Sequence, residues 1–228
     1  MEDKIKELSR TLDRLIRFPT TPDQSNIEMI DWLANRLETT AAQIDVLPDA
    51  ENRFANLLVR IGPERPGGII LSGHTDVVTA EGQRWHTDPF AMTERNGRLF
   101  GRGTADMKGF LALLLANAPH FAALPLARPI YLAFTHGEET GCVGAPALIE
   151  HFVGSQPKPT LAIVGEPTEL RAVTDHKAMA LFRTEIIGKE AHSSLPDLGA
   201  SANLAAAGLI AFLKDYFTNL RNGTVKGN

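Results

Sequence analysis

The sequence predicts an α/β protein, built on a mixed sheet with helices on both faces and followed by the beginning of a smaller α+β unit. Its 228 residues are 43% hydrophobic, which is enough for a well-buried core. Helix-like and strand-like apolar segments alternate along residues 1–177, as in a layered α/β domain. After residue 177 the pattern changes. Residues 178–228 offer one strand-like segment and one long helix, too little to close a core of their own.

The helices are predicted from apolar residues spaced three and four apart. The first covers residues 5–16 and ends before Pro19 and Pro22, and Ser25 or Asn26 is expected to cap the second, over residues 27–37. Further helices are expected at residues 107–121, 144–152 and 201–220.

The strands are predicted from short apolar or alternating segments. They cover residues 43–47, 55–61, 68–72, 129–135, 161–164 and 179–187. Residues 90–101 predict a hairpin, because Asn96 and Gly97 accept the positive φ angles of a tight turn.

Composition excludes several classes of protein. With 23 basic and 27 acidic residues the net charge is −4, which argues against an electrostatic nucleic-acid binder. The single cysteine, Cys142, excludes a disulfide scaffold and a cysteine-based zinc site. The longest apolar run, residues 110–116, is too short to span a bilayer, and the charged N-terminus is unlike a secretory signal. A cytoplasmic protein without membrane contact is expected.

Histidine and carboxylate residues follow the predicted strands. His74 and Asp76 come after one strand, Glu138 and Glu139 after another, and Glu166 after a third, while Asp106 precedes a helix. Ligands in open α/β sheets collect at the carboxyl ends of strands. Several carboxylates at one edge are unfavourable unless cations lie among them, so these residues together predict a pair of divalent metal ions. Imidazole mixed with carboxylate suits zinc, cobalt or manganese better than calcium.

Each of these residues also has a simpler interpretation. Taken singly, Asp106 could cap a helix, the Glu pair could be solvated, Glu166 could belong to a turn and His74 could be a core histidine. Three other histidines compete with His74 as ligand. His86 is expected in a loop, His136 directly before the Glu pair is the strongest competitor, and His176 is expected to be structural.

Six motifs resemble the M20 metallopeptidase family, most closely its acetylornithine deacetylase branch. They lie at residues 72–78, 85–90, 101–109, 138–141, 164–168 and 188–194, in the order and spacing of the family. The resemblance implies a two-metal amide hydrolase with zinc or cobalt. Its substrate would be an N-acyl amino acid, with N-acetylornithine favoured. N-acetylcitrulline, succinyl-diaminopimelate, other N-acyl amino acids and peptides are the rival substrates.

The resemblance also implies roles for individual residues. His74 and Glu166 would bind one metal, Glu139 the second, and Asp106, with a cis peptide to Met107, would bridge both. Asp76 would orient His74 through its other ring nitrogen, and Glu138 would be the general base. His192 would reach the neighbouring subunit's site in a homodimer and stabilise the oxyanion.

The sequence departs from the family pattern in several places. Gly137 stands where Asp is usual, Thr79 where Pro is usual, and Ala178 where Gly is usual. Family members also continue beyond residue 228 and supply a final histidine to the second metal, so the resemblance implies a C-terminally truncated chain. A catalytically silent, metal-binding or dimer-forming fragment therefore remains the alternative to an active amide hydrolase.

Overall fold

The computed structural model describes residues 2–175 and 182–223. The helices are α1 (Glu2–Ile16), α2 (Ile27–Leu37), α3 (Lys108–Ala123), α4 (Ala145–Ser155) and α5 (Ala202–Arg221), with a 3₁₀ turn at Pro196–Leu198. The strands are β1 (Gln43–Pro48), β2 (Ala55–Ile61), β3 (Ile69–His74), β4 (Thr93–Arg95), β5 (Arg98–Phe100), β6 (Ile130–Thr135) and β7 (Leu161–Val164). Two compact units divide the chain, residues 1–172 and 173–228. The domain boundary expected at residue 177 lies outside the described residues and stays a prediction.

Five strands form one mixed sheet in the order β1-β2-β6-β3-β7. Strands β1 and β2 pair antiparallel, as do β2 and β6, whereas β6, β3 and β7 run parallel. The predicted α/β class and mixed sheet are confirmed. Because β6, β3 and β7 are parallel neighbours, the segments that follow them leave the sheet at one edge.

Helices cover both faces of the sheet, as predicted. Successive side chains of a strand point to opposite faces. Leu57 and Val59 of β2 therefore join the core under α1, α2 and α3, whereas Leu58 joins the core under α4. In that second core Tyr131 packs edge-on against Phe152 of α4, with ring centroids 4.8 Å apart.

Local turn and cap chemistry confirms the predicted hairpin and selects Ser25 over Asn26 at the start of α2. Strands β4 and β5 form the expected hairpin, and Asn96 and Gly97 have φ angles of +53° and +70°. The residue before α2 is Asn26, but its side chain makes no cap bond. Its amide instead contacts Ala55 and Thr75, and the Ser25 hydroxyl accepts the N–H of Ile27.

The second unit contains α5, which confirms the predicted helix. The side chain of Ser201 accepts the N–H of Leu204 at its start. The predicted strand at residues 179–187 is wrong for residues 182–187, which form no strand. A strand requires a paired neighbour, and the pairing seen between residues 182 and 223 is a single bridge between Lys189 and Ala200. Residues 179–181 and His176 lie outside the described residues. No helix in the described parts of the chain could cross a bilayer.

Candidate metal centre

His74 is the last residue of β3, where it pairs with Thr135 of β6. The strand therefore extends two residues beyond the predicted segment and holds His74 in the sheet. The residue is only 2% exposed. Its backbone position is consequently set by the register of two parallel strands.

The structure brings the four predicted metal ligands together around the Nε2 atom of His74. Nε2 lies 3.1 Å from Oδ1 of Asp106 and 3.9 Å from Oε1 of Glu166. His74, Asp106 and Glu139 each offer one ligand atom, and these three atoms lie within 4.8 Å of one another. The groups come from the ends of β3, β6 and β7 and from the segment before α3, so the parallel part of the sheet assembles them.

Asp106 does not cap helix α3. The residue before that helix is Met107, which makes no side-chain cap bond, and the Asp106 carboxylate contacts His74 instead. The Asp106–Met107 peptide bond is cis, as the resemblance implies. Met107 is buried, and its sulfur accepts the backbone N–H of His74 at 3.2 Å. This contact connects the start of α3 to the end of β3, beside the Asp106–His74 pair.

Asp76 orients His74 differently from the expectation. The Nδ1 atom of His74 lies 2.9 Å from the backbone carbonyl oxygen of Asp76, whereas the Asp76 carboxylate is 3.6 Å away. That carboxylate accepts the backbone N–H groups of Glu138, at 3.2 Å, and Glu139, at 2.9 Å. The carbonyl therefore directs Nε2 toward the carboxylates, and the side chain of Asp76 is free to hold the Glu pair.

Glu138 and Glu139 lie in the loop of residues 136–144, which connects β6 to α4. The loop closes on itself through backbone hydrogen bonds, among them Val143 N–H to the Gly137 carbonyl at 3.1 Å. Gly137 has a φ angle of +70°, and a β-carbon there would lie 2.3 Å from Cγ2 of Val143. The glycine that replaces the usual aspartate of the resemblance therefore suits this loop conformation.

The electrostatics of the cluster fit a bound cation. Burial and the charge of Asp106 raise the pKa of Glu139, and burial also raises the pKa of Glu166, with Asp106 adding to the effect. Burial lowers the pKa of His74, but Asp76 and Glu166 outweigh it and raise that pKa to about 9. Crowded carboxylates that resist ionisation gain stability when positive charge lies among them. One imidazole and three carboxylates are also ligand types that Zn²⁺ and related ions accept.

Neither His136 nor His86 belongs to the cluster. The ring of His136 stacks on Phe54 with centroids 5.3 Å apart, and His86 is exposed in a loop, as expected. His192, in the second unit, is exposed, and its Nδ1 lies 2.8 Å from the Ser194 hydroxyl. Its role at a neighbouring subunit's site stays a prediction.

Sequence reasoning missed two buried polar residues around the centre. Lys108 is fully buried, and its ammonium donates to the carbonyl oxygens of Leu15 and Phe18 at 3.0 and 2.6 Å. Asn56, also buried, binds both ends of the loop that carries the Glu pair. The signal in each case was a polar residue within an apolar helix or strand.

Comparison with known proteins places the chain in a family. The family model described as Peptidase family M20/M25/M40 matches residues 70–224. The acetylornithine deacetylase of Pasteurella multocida (strain Pm70) is 38% identical over 207 residues, which cover 87% of this chain and 53% of that protein. The acetylornithine deacetylase of Proteus mirabilis (strain HI4320) is 41% identical over 182 residues, which cover 79% of this chain and 46% of that protein.

Solved structures agree at the level of the fold. Human carnosine dipeptidase 1 matches with a TM-score of 0.59 at 25% identity, over 70% of this chain and 38% of that one. The M20 family metallo-carboxypeptidase Sso-CP2 of Sulfolobus solfataricus matches with a TM-score of 0.61 at 21% identity, over 70% and 37%. The chain spans about half the length of the curated relatives that it matches. With a family match over most of its length, the chain belongs to peptidase family M20/M25/M40.

Proposed function

We propose that the protein is a metal-dependent amide hydrolase that removes the acyl group from an N-acyl amino acid. N-acetylornithine is the favoured substrate, which would make the reaction a step of arginine biosynthesis. The observation that carries the proposal is the convergence of Asp106, Glu139 and Glu166 on His74. The similarity to two acetylornithine deacetylases, at 38% and 41% identity, supports the choice of substrate.

We propose that the site holds two Zn²⁺ or Co²⁺ ions, because imidazole and carboxylate are ligand types that both metals accept. His74 and Glu166 would hold one ion and Glu139 the other, with Asp106 shared between them. When bound, such ions would supply the positive charge that the carboxylates lack and the Lewis acidity that activates water and polarises an amide carbonyl. Because Nδ1 of His74 is occupied by the Asp76 carbonyl, Nε2 is the nitrogen that remains available as a ligand.

Glu138 is proposed as the general base. A base must exchange a proton, so one Glu of the pair serves as ligand and the other stays free of the metal. The carboxylate of Glu138 would take a proton from the attacking water and deliver it to the nitrogen of the leaving amine. The carboxylate of Asp76 holds the backbone of Glu138, and the side chain of Glu138 would move the proton. His192, from the partner in a homodimer, is proposed to stabilise the oxyanion.

A deacylation assay with a panel of substrates tests the proposal. The metal-loaded protein should hydrolyse N-acetylornithine faster than N-acetylcitrulline, succinyl-diaminopimelate, other N-acetyl amino acids or dipeptides. Faster cleavage of another acyl amino acid would keep the reaction and change the substrate. Metal binding without hydrolysis of any of these compounds would favour the catalytically silent alternative.

A further inference from the structure

We propose that Asn56 is a positioning residue of the metal centre. It holds both ends of loop 136–144 and thereby places Glu138 and Glu139. Asn56 contacts none of the proposed ligands, so its effect would pass through the loop. The expected effect on metal binding rests on the proposed function, whereas amide hydrogen exchange in the loop tests the positioning role separately.

The contacts of Asn56 use both ends of its amide group. Its Nδ2 donates to the carbonyl oxygen of Gly144 at 2.8 Å, and its Oδ1 accepts the backbone N–H of His136 at 3.2 Å. The residue is 1% exposed and lies between Ala55 and Leu57 in the apolar strand β2. A buried amide with both functions satisfied has one favourable orientation, which makes it a rigid clamp.

The loop itself is built to transmit this clamp. The backbone N–H of Gly144 also donates to the carbonyl oxygen of His136 at 3.2 Å. Asn56 therefore binds the two residues at which the loop closes, which we call the neck of the loop. Inside the loop, the N–H of Gly141 donates to the carbonyl of Glu138 at 2.9 Å. The amides of Glu138 and Glu139 are held from the other side by Asp76. Asn56 of β2 thus holds the neck of the loop. Asp76, two residues after β3, holds its tip, which is formed by Glu138 and Glu139.

Removal of the Asn56 amide should displace Glu138 and Glu139 more than it displaces the hydrophobic core. A residue without the amide leaves the His136 N–H and Gly144 carbonyl without their buried partners, and the neck must shift to satisfy them. An aspartate is the sharper probe. Its carboxylate can still accept from His136, but it sets an oxygen against the carbonyl oxygen of Gly144.

The test compares Asn56→Ala and Asn56→Asp with Leu57→Ala as the matched control. Leu57 is the next residue of the same strand, fully buried, but faces α1–α3 instead of the loop. The readouts are Co²⁺ affinity by titration, amide hydrogen exchange at Glu138 and Glu139, and thermal unfolding. Both Asn56 variants should bind Co²⁺ about 10–100-fold more weakly, as for other residues that support metal ligands, and exchange the two amides faster. Leu57→Ala should lower thermal stability while both site readouts stay as in the wild type.

The outcomes separate the inference from the proposed function. Unchanged exchange and Co²⁺ affinity in Asn56→Ala would overturn the positioning role, and a fully wild-type Asn56→Asp would overturn the two-ended clamp. If Asn56→Ala and Leu57→Ala lost Co²⁺ affinity equally, Asn56 would contribute to stability only, and the positioning role would be overturned. If the wild type binds no Co²⁺, the proposed function fails, and faster exchange at Glu138 and Glu139 in the Asn56 variants alone would still support the clamp.

Discussion

The two sides of the candidate metal centre are held in different ways. On the strand side, His74 is fixed by β-sheet register, and Asp106 adjoins Met107, whose sulfur binds the His74 backbone. On the loop side, Glu138 and Glu139 follow the end of β6, and the side chain of Asp76 holds their backbone. The residues of the strand side are therefore positioned by the sheet, whereas those of the loop side are positioned by a few polar contacts. Substitutions outside the ligands should accordingly disturb the loop side first.

The largest effect is expected at the loop tip, for Glu138→Gln. Removal of a general base lowers turnover by about 10²–10⁴-fold, because no group then takes the proton from the attacking water. The amide keeps the size of the side chain, so metal content should stay as in the wild type. Steady-state kinetics with metal analysis check the prediction, and Glu139→Gln is the control, which should lose metal as well. Near-normal turnover in Glu138→Gln would assign the base to another residue.

A smaller effect is expected for Asp76→Asn, where the two sides meet. Asparagine keeps the backbone carbonyl that orients His74 but offers one acceptor oxygen to two N–H groups, those of Glu138 and Glu139. Residues that support metal ligands typically change affinity about 10–100-fold, and we expect a loss in that range. Calorimetric titration with Zn²⁺ measures it. An unchanged affinity would show that the loop does not need the carboxylate.

On the strand side, Lys108→Met should lower the stability of the protein rather than its activity. It leaves the buried carbonyl oxygens of Leu15 and Phe18 without a donor, which lowers the free energy of unfolding by about 1–3 kcal/mol. Burial lowers the pKa of Lys108 from 10.5 to about 7, with Asp76 opposing. Between those pH values the unfolded chain holds a proton that the folded chain has released, so wild-type stability gains from rising pH.

The methionine variant lacks this gain, and its stability deficit should therefore widen from pH 7 toward pH 10. Urea unfolding of both proteins across that range measures the difference. Lys158→Met, at an exposed side chain, is the control and should show almost no deficit. A Lys108→Met deficit that stays constant or narrows with rising pH would mean that the pKa of Lys108 is not lowered in the folded protein.

The smallest effect is expected for Cys142→Ala, although the residue lies in the loop. Its Sγ is 4.0 Å from Oε1 of Glu138, so a carboxylate lies close to the thiol. Burial and the charge of Glu138 nevertheless raise the pKa of Cys142, which keeps the thiol protonated and unreactive. Turnover should stay as in the wild type, with a stability change within about 0.5 kcal/mol. A marked fall in turnover would give the thiol a part in holding Glu138.

The sequence predicted elements well where the pattern is local. Strand β2 matches its predicted limits because five of its seven residues are apolar, and α5 differs by one residue at each end. Pairing was less accessible. Strand β3 continues to His74 because Thr135 lies beside it, and residues 182–187 form no strand although they alternate suitably. Partners distant in the chain decide both cases.

The candidate site shows the same division. The four proposed ligands could be named from motifs and strand ends, because parallel strands bring those ends together. Which oxygen of Asp76 binds His74, and which residue holds the loop, depend on ångström-scale placement that spacing does not encode. Asn56 was visible only as a polar residue in an apolar strand.

X-ray crystallography of the Zn²⁺-loaded protein, with anomalous scattering to locate the metal, would show which side-chain atoms bind it. We expect one zinc ion bonded to Nε2 of His74 and to Glu166, a second bonded to Glu139, Asp106 bonded to both, and Glu138 outside the ligand set. Zinc bound through Nδ1 of His74, held by Glu138, or found at other residues would contradict the proposed ligand set.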